Sequence, residues 1–249
     1  MKRLLFVIVA LVLSAATASA DVTVTMIMST SAGPAAADST MVSFVKGTKF
    51  RADASVAGQD VTVMSDTATK QQWMINHATK QIEPFNAEKV MAGLPISLGD
   101  AKVSVKPNGQ TKEILGRVCQ GYSLEMTMPM NLAGETITLK MAGSAWVAKD
   151  GAGVAEFKAA QKAFSDAGMS TTPLAQGPQG KPMAELNKTL SDAGVTMEQE
   201  FQATMEGTGQ MAQMMGQMGT MTTVIKVTAI TTDPIPDSKF ALPEGYTKK

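Results

Sequence analysis

From Tyr122 to Met130 the chain alternates without a break. Tyr122, Leu124, Met126, Met128 and Met130 fall on one side of an extended backbone; Ser123, Glu125 and Thr127 fall on the other. A period of two does not fit a helix, so this segment is a strand with one apolar and one wet face. Such a strand needs hydrogen-bonding neighbours and a cover for its apolar side. The period recurs in Val195–Met205, where Val195, Met197, Phe201 and Met205 oppose Thr196, Glu198, Glu200, Gln202 and Thr204. It recurs again in Asp21–Met28, with Val22, Val24, Met26 and Met28 against Thr23 and Thr25. Thr40–Val45, Lys49–Val56, Val61–Ser65, Gln72–Asn76, Thr136–Val147 and Thr222–Thr232 extend the set. Gly47, Ala57–Asp60 and Asn76–Thr79 supply turns between them. The chain reads as an antiparallel meander.

Three segments break the pattern toward helix. Asn86–Ala92 is short. Val154–Ala167 is rich in helix formers, places Phe157, Ala160 and Phe164 on one face, and stops before Gly168. Pro182–Ala193 opens on proline and closes before Gly194. The Pro/Gly-rich stretch 172–181 between the last two is a surface connection, so residues 21–249 are expected to form a single domain.

The first twenty residues have the layout of a cleavable export signal. Lys2 and Arg3 precede an apolar run from Leu4 to Leu13, and Ala18-Ser19-Ala20 closes it. That run is shorter than a membrane span needs, and no second long apolar segment follows. No cysteine lies at the cleavage point to carry a lipid. A periplasmic or secreted protein is expected. Without Lys2 and Arg3, the 22 basic residues fall two short of the 22 acidic ones, about −2 net. A balance of that sign is unlike a nucleic-acid binder or a polybasic membrane-surface protein.

Catalytic chemistry finds little support. His77, the one histidine, lies in a turn and is expected to be exposed. Cys119, the one cysteine, cannot form an internal disulfide and reads as a small buried apolar residue. Glu198 and Glu200 share a strand face that is expected to be solvated. No phosphate loop, zinc spacing or nucleophile elbow is present. The chain is expected not to be an enzyme and to need no cofactor.

The twenty methionines are the remaining peculiarity. Most alternate along strands and suit an adaptable apolar interior. Met211, Met214, Met215, Met218 and Met221 stand apart, at helical spacing but interrupted by Gly216 and Gly219. Two uses are open for them. Met211, Met214, Met215 and Met218 can form a soft-metal site for Cu(I) or Ag(I), or the run can be a greasy flap.

Several segments carry a family resemblance. They are Phe44–Asp53 (FVKGTKFRAD), Gln71–Ile82 (QQWMINHATKQI) and Gly116-x-x-Cys119-x-x-Tyr122. Ser144–Asp150 (SAWVAKD) and Asp237–Tyr246 (DSKFALPEGY) complete the set. In this order they resemble the exported bacterial family called domain of unknown function 4412, whose members are similar to the LolA/LolB-type lipoprotein-carrier fold. The resemblance implies an α+β fold, mostly antiparallel β: a strongly curved sheet, an incomplete barrel, with helices covering its concave side. It also implies an envelope protein that takes a lipid or lipoprotein acyl chain between sheet and helices, and leaves room for an envelope protein partner. The residues expected to line that space are Val24, Met26, Met28, Leu124, Met126, Met128, Leu139 and Phe201 from the sheet, with Phe157 and Phe164 from the helices. A Met-rich metal binder and a filled-core interaction module are the other readings.

Overall fold

The structure is a computed structural model, and it describes residues 21–31, 37–56, 58–85, 96–132, 134–169, 181–217 and 219–249. The expected export signal, the expected helix at 86–92 and the 172–180 part of the Pro/Gly connection lie outside these residues. Thirteen strands join one sheet among those described. They are β1 (Val22–Ser31), β2 (Ala37–Lys46), β3 (Lys49–Val56), β4 (Gln59–Asp66), β5 (Gln71–Asn76), β6 (Gln81–Pro84) and β7 (Ile96–Leu98). Then come β8 (Lys102–Ile114), β9 (Arg117–Leu132), β10 (Glu135–Ala148), β11 (Val195–Gly207), β12 (Met221–Thr231) and β13 (Thr247–Lys248).

Neighbours run β13-β6-β5-β4-β3-β2-β1-β12-β11-β10-β9, with β7 and β8 both on the outer edge of β9. Every pairing is antiparallel except β13 with β6. The sheet is open: its edges, β13 on one side and β7 with β8 on the other, do not meet. Two meanders, β1 to β6 and β8 to β12, are joined at their middle by β1 against β12.

The strand β8 departs from the sequence reading, which left 102–114 unassigned. Its polar residues, Pro107 and the Asn108-Gly109 pair argue against a central strand. At an edge these are tolerated, because one side of the strand faces solvent. The β8–β9 register slips between Pro107, which opposes Tyr122, and Thr111, so Asn108, Gly109 and Gln110 stand outside the ladder.

Helix α1 (Val154–Asp166) and helix α2 (Lys181–Ala193) follow the expected spans closely. Gly153 carries α1 onto the sheet. It adopts φ 78°, and a Cβ there would meet Ile230 and Val22 side chains, so only glycine allows both the turn and the close approach. Phe157 of α1 packs with Val22, Val24, Val45, Met197 and Val227. Leu186 and Leu190 of α2 pack with Tyr122, Leu124, Ala145 and Val147.

Cross-strand partners share a face of a sheet. Tyr122 opposes Ala145, Ala145 opposes Gln199, Gln199 opposes Ile225 and Ile225 opposes Met28. Val22, Val24 and Met26 alternate in step with Met28 along β1. Val22 and Val24, in the α1 cluster, thus lie on the face of Tyr122 and Leu124, whose cluster holds α2; the α1 cluster also takes in Cys119, Ala148 and Val195, which oppose one another on the other face of β9 and β10.

The opposite face of the β3–β6 half is closed by the C-terminal segment. Phe240, Leu242 and Tyr246 pack against Met64, Ile75 and Ile82. Lys46 Nζ donates to the Ile235 carbonyl at 2.6 Å and pairs with Asp237 at 2.9 Å. The Ile235 N–H donates to Asp21 Oδ2 at 2.7 Å. The Lys46 ammonium holds the Asp237 carboxyl below the usual carboxylate range, and Asp237 in turn raises Lys46.

Candidate functional site

The strand residues expected to line a ligand space do share a face. Leu124 and Phe201 both oppose Gly143, Met128 opposes Leu139, and Met126 opposes Met141. Met26 opposes Val227, and Val24 opposes Ile230. Linked through Ala145, Gln199 and Ile225 to Met28, these residues share one face, mainly apolar and interrupted by Gln199 and Thr223. Gly143 is required at its centre, because a Cβ there would collide with the Glu200 carbonyl oxygen and Phe201 Cα.

Within that surface the residues fall into two groups. Val24, Leu124 and Phe157 are buried in the two helix-covered clusters. Met126 and Met128 are buried too, at 5% and 8% exposure. Met26, Leu139, Phe164 and Phe201 are half-buried, and Met28 is 40% exposed. Phe164 packs its ring on Phe50, with centroids 5.4 Å apart and planes at 44°. Phe50 opposes Val45, which opposes Val22, so this contact also lies on the helix face.

A cleft of about 420 Å³ opens where the C-terminal end of α1 overhangs β5 and β6. Its lining includes Lys70, Gln71, Trp73, Phe85, Gly168 and Met169, none of them in the expected set. It adjoins the Phe50 row of the sheet, since Phe50 opposes Ser65 and Ser65 opposes Gln72, another residue of the cleft.

The methionine run forms helix α3 (Gln210–Gln217), which connects β11 to β12. The helical spacing thus prevails over the glycine breaks up to residue 217. Met214 is 58% exposed. Met218 lies outside the described residues, as do the side chains of Met211 and Met215. The expected four-methionine site is thus placed only in part.

Two polar constellations escaped the sequence. His77 is half-buried, not an exposed turn residue. Its Nε2 lies 2.9 Å from Thr62 Oγ1, and Thr62 donates to Asp53 Oδ1 at 2.6 Å. On the other side, Nδ1 lies 2.9 Å from the Tyr246 hydroxyl. With Thr62 donating to the carboxylate, the chain Asp53–Thr62–His77–Tyr246 is consistent when Nε2 carries the proton and Nδ1 accepts from tyrosine. It ties the C-terminal segment to β3 and β4. Asp53, Thr62 and His77 come from neighbouring strands and turns, but Tyr246 lies 169 residues from His77, so no local motif announces the chain.

The second constellation joins Lys112, Trp146 and Glu198. Lys112 Nζ pairs with Glu198 at 2.7 Å and sits 4.5 Å from the Trp146 ring centroid. Glu198 is 19% exposed and so is not simply solvated. Cys119 is buried as expected; burial pushes its thiol up, away from the thiolate that a nucleophile needs. Among the described residues no three His, Cys, Asp or Glu side chains gather as a metal site, and no helix is long and apolar enough to cross a membrane.

No family model matches the chain, and no curated protein matches it. Similar solved structures include PNGF-II, at 11% identity and a TM-score of 0.37. That alignment covers 92% of this chain, which spans 32% of the length of PNGF-II. A DUF1329 family protein from Desulfovibrio piger aligns at 10% identity and a TM-score of 0.32, over 90% of each chain. A putative outer membrane lipoprotein-sorting protein domain from Vibrio parahaemolyticus aligns at 9% identity and a TM-score of 0.34, over 89% of each chain. At these scores the topology described above rests on the chain's own register.

Proposed function

We propose that this chain is a non-enzymatic envelope protein that binds a lipid or lipoprotein acyl chain between its sheet and helices. One observation carries the reading. Eight apolar strand residues lie on a single face, helix residues pack against Val24 and Leu124 of that face, and its apolar area stays partly open at Met26, Met28, Leu139 and Phe201. An apolar face with this much methionine adapts to ligands of varied shape. The motif resemblance to the lipoprotein-carrier fold points to the same use, with the sheet curving around the chain and the helices over its concave side. Ten acyl methylenes buried there would contribute about 8 kcal/mol before the entropic cost of association.

The test is titration with a fluorescent sixteen-carbon fatty acid, together with native mass spectrometry of protein purified from its own host. Saturable binding is expected. Met28→Glu, which sets a charge in the apolar strip, and Phe201→Ala are each expected to weaken it at least tenfold. A protein that carries no lipid and binds none would sink the carrier reading and leave the filled-core interaction module in its place.

A further inference from the structure

The register gathers methionines that the sequence scatters. Met126 of β9 stands directly opposite Met141 of β10. Met128 opposes Leu139 from one side and Met205 opposes it from the other. Since Leu139 and Met141 are two apart on β10, both Met128 and Met205 are diagonal neighbours of Met141. Directly opposed Cβ atoms lie about 4.5–5.5 Å apart and diagonal ones within about 8 Å. Met141 is thus within reach of the other three, while Met205 stands two strands, about 10 Å, from Met126 and Met128, a gap that two long unbranched side chains close together. All four side chains project from the same face. We propose that Met126, Met128, Met141 and Met205 form a thioether site for a soft monovalent cation, Cu(I) or Ag(I).

The chemistry of the donor set selects the ion. Thioether sulfur is soft, uncharged and polarisable, which suits Cu(I) and its congener. Hard cations such as calcium and magnesium require oxygen ligands. On this face the neighbouring strand residues include Leu124, Met130, Ile137, Leu139, Ala203, Val103 and Met221, whose side chains offer none. A single charge also costs far less to desolvate than a double one. Burial grades across the site: Met126 and Met128 are buried, while Met141 and Met205 are half-buried. An ion can therefore reach Met141 and Met205 from solvent and settle against the buried pair. A thioether has no proton to lose, so binding is independent of pH, unlike capture by histidine or cysteine.

The experiment uses the whole chain, without its first twenty residues, titrated anaerobically with Cu(I) supplied as a coloured chelate. The protein is expected to withdraw one equivalent, equally at pH 5 and pH 8. Met141→Leu and Met126→Leu keep side-chain volume and are expected to lower affinity at least tenfold. Leu139→Met places a further thioether at the centre of the cluster and is expected to tighten binding. Replacing Met211, Met214 and Met215 of α3 together by leucine is expected to leave it unchanged. Far-UV circular dichroism of each variant separates loss of ligand from loss of fold. Failure of the unaltered protein to withdraw Cu(I), full retention by Met141→Leu, or loss in the α3 variant would each overturn the site.

Discussion

Phe157→Ala tests how α1 is held on the sheet. Phe157 is 6% exposed and lies among Val22, Val24, Val45, Met197 and Val227. Truncating a buried phenylalanine to alanine costs about 3–5 kcal/mol, part from lost transfer energy and part from the cavity left behind. Domains commonly hold about 5–15 kcal/mol in total, so a large fraction of the stability is at stake. Phe164, on the same face of the same helix, is the internal control. It is half-buried and packs on Phe50. Phe164→Ala forfeits an aromatic pair and part of one ring's burial, about 1–2 kcal/mol. Equilibrium urea unfolding followed by circular dichroism reads both. With a slope of about 2–3 kcal/mol/M, Phe157→Ala lowers the midpoint by about 1–2 M, and Phe164→Ala by less than about 1 M. The slope itself should not change. Equal midpoints for the two variants, or a Phe157→Ala shift below about 0.3 M, would refute the docking of α1 on β1 and β2.

Two further predictions concern the C-terminal segment. Tyr246→Phe removes the hydroxyl 2.9 Å from His77 Nδ1 and should cost about 0.5–1.5 kcal/mol in thermal or urea unfolding. A double-mutant cycle with Thr62→Val should return a non-zero coupling, because both residues bond the same imidazole; strict additivity would mean that the chain does not act as a unit. The pair Lys46–Asp237 predicts a pH dependence. The folded-state pKa of Asp237 is lowered by Lys46, so its stabilising effect is present above its unfolded value and is lost as pH falls through the folded value. Lys46 is raised by Asp237, so its contribution is present below its unfolded value and is lost as pH rises through the folded one. Asp237→Asn should remove the acid limb and weaken the basic one, which Asp21 also supports; hydrogen exchange at the Ile235 amide against pH is the measurement, and an unchanged profile would disprove the link.

Much of the architecture was open to reading from local pattern. Val22–Met28 and Tyr122–Met130 announce strands and their apolar sides, because side-chain direction in an extended backbone follows residue parity. Val195–Met205 announces a strand, but a register shift beside Trp146 sets Val195 opposite Ala148, on the other face from Phe201. Val154–Ala167 and Pro182–Ala193 announce helices through helix formers and their proline and glycine boundaries. Through that parity the shared face of the strand residues in the proposed site was legible, as the register places them together. By contrast β8 was hidden, since Lys102–Ile114 has the polarity and proline of an edge, and edges obey no strong alternation. The exposed setting expected for His77 also failed, because Thr62 and Tyr246 reach it from distant segments.

By itself, then, the sequence determined the two described helices, most of the strands other than the edge strand β8, and the apolar side of the regular ones. These follow from backbone geometry and need no partner. Only the tertiary structure decided that β12 returns to lie beside β1, which strands each helix packs on, and that Tyr246 reaches His77. It also decided that Met141 stands opposite Met126 and diagonal to Met205. Pairings of that kind are chosen among many strands with similar alternation, by the register and loop closures that satisfy every backbone hydrogen bond and cover every apolar face at once. No window of sequence contains that choice.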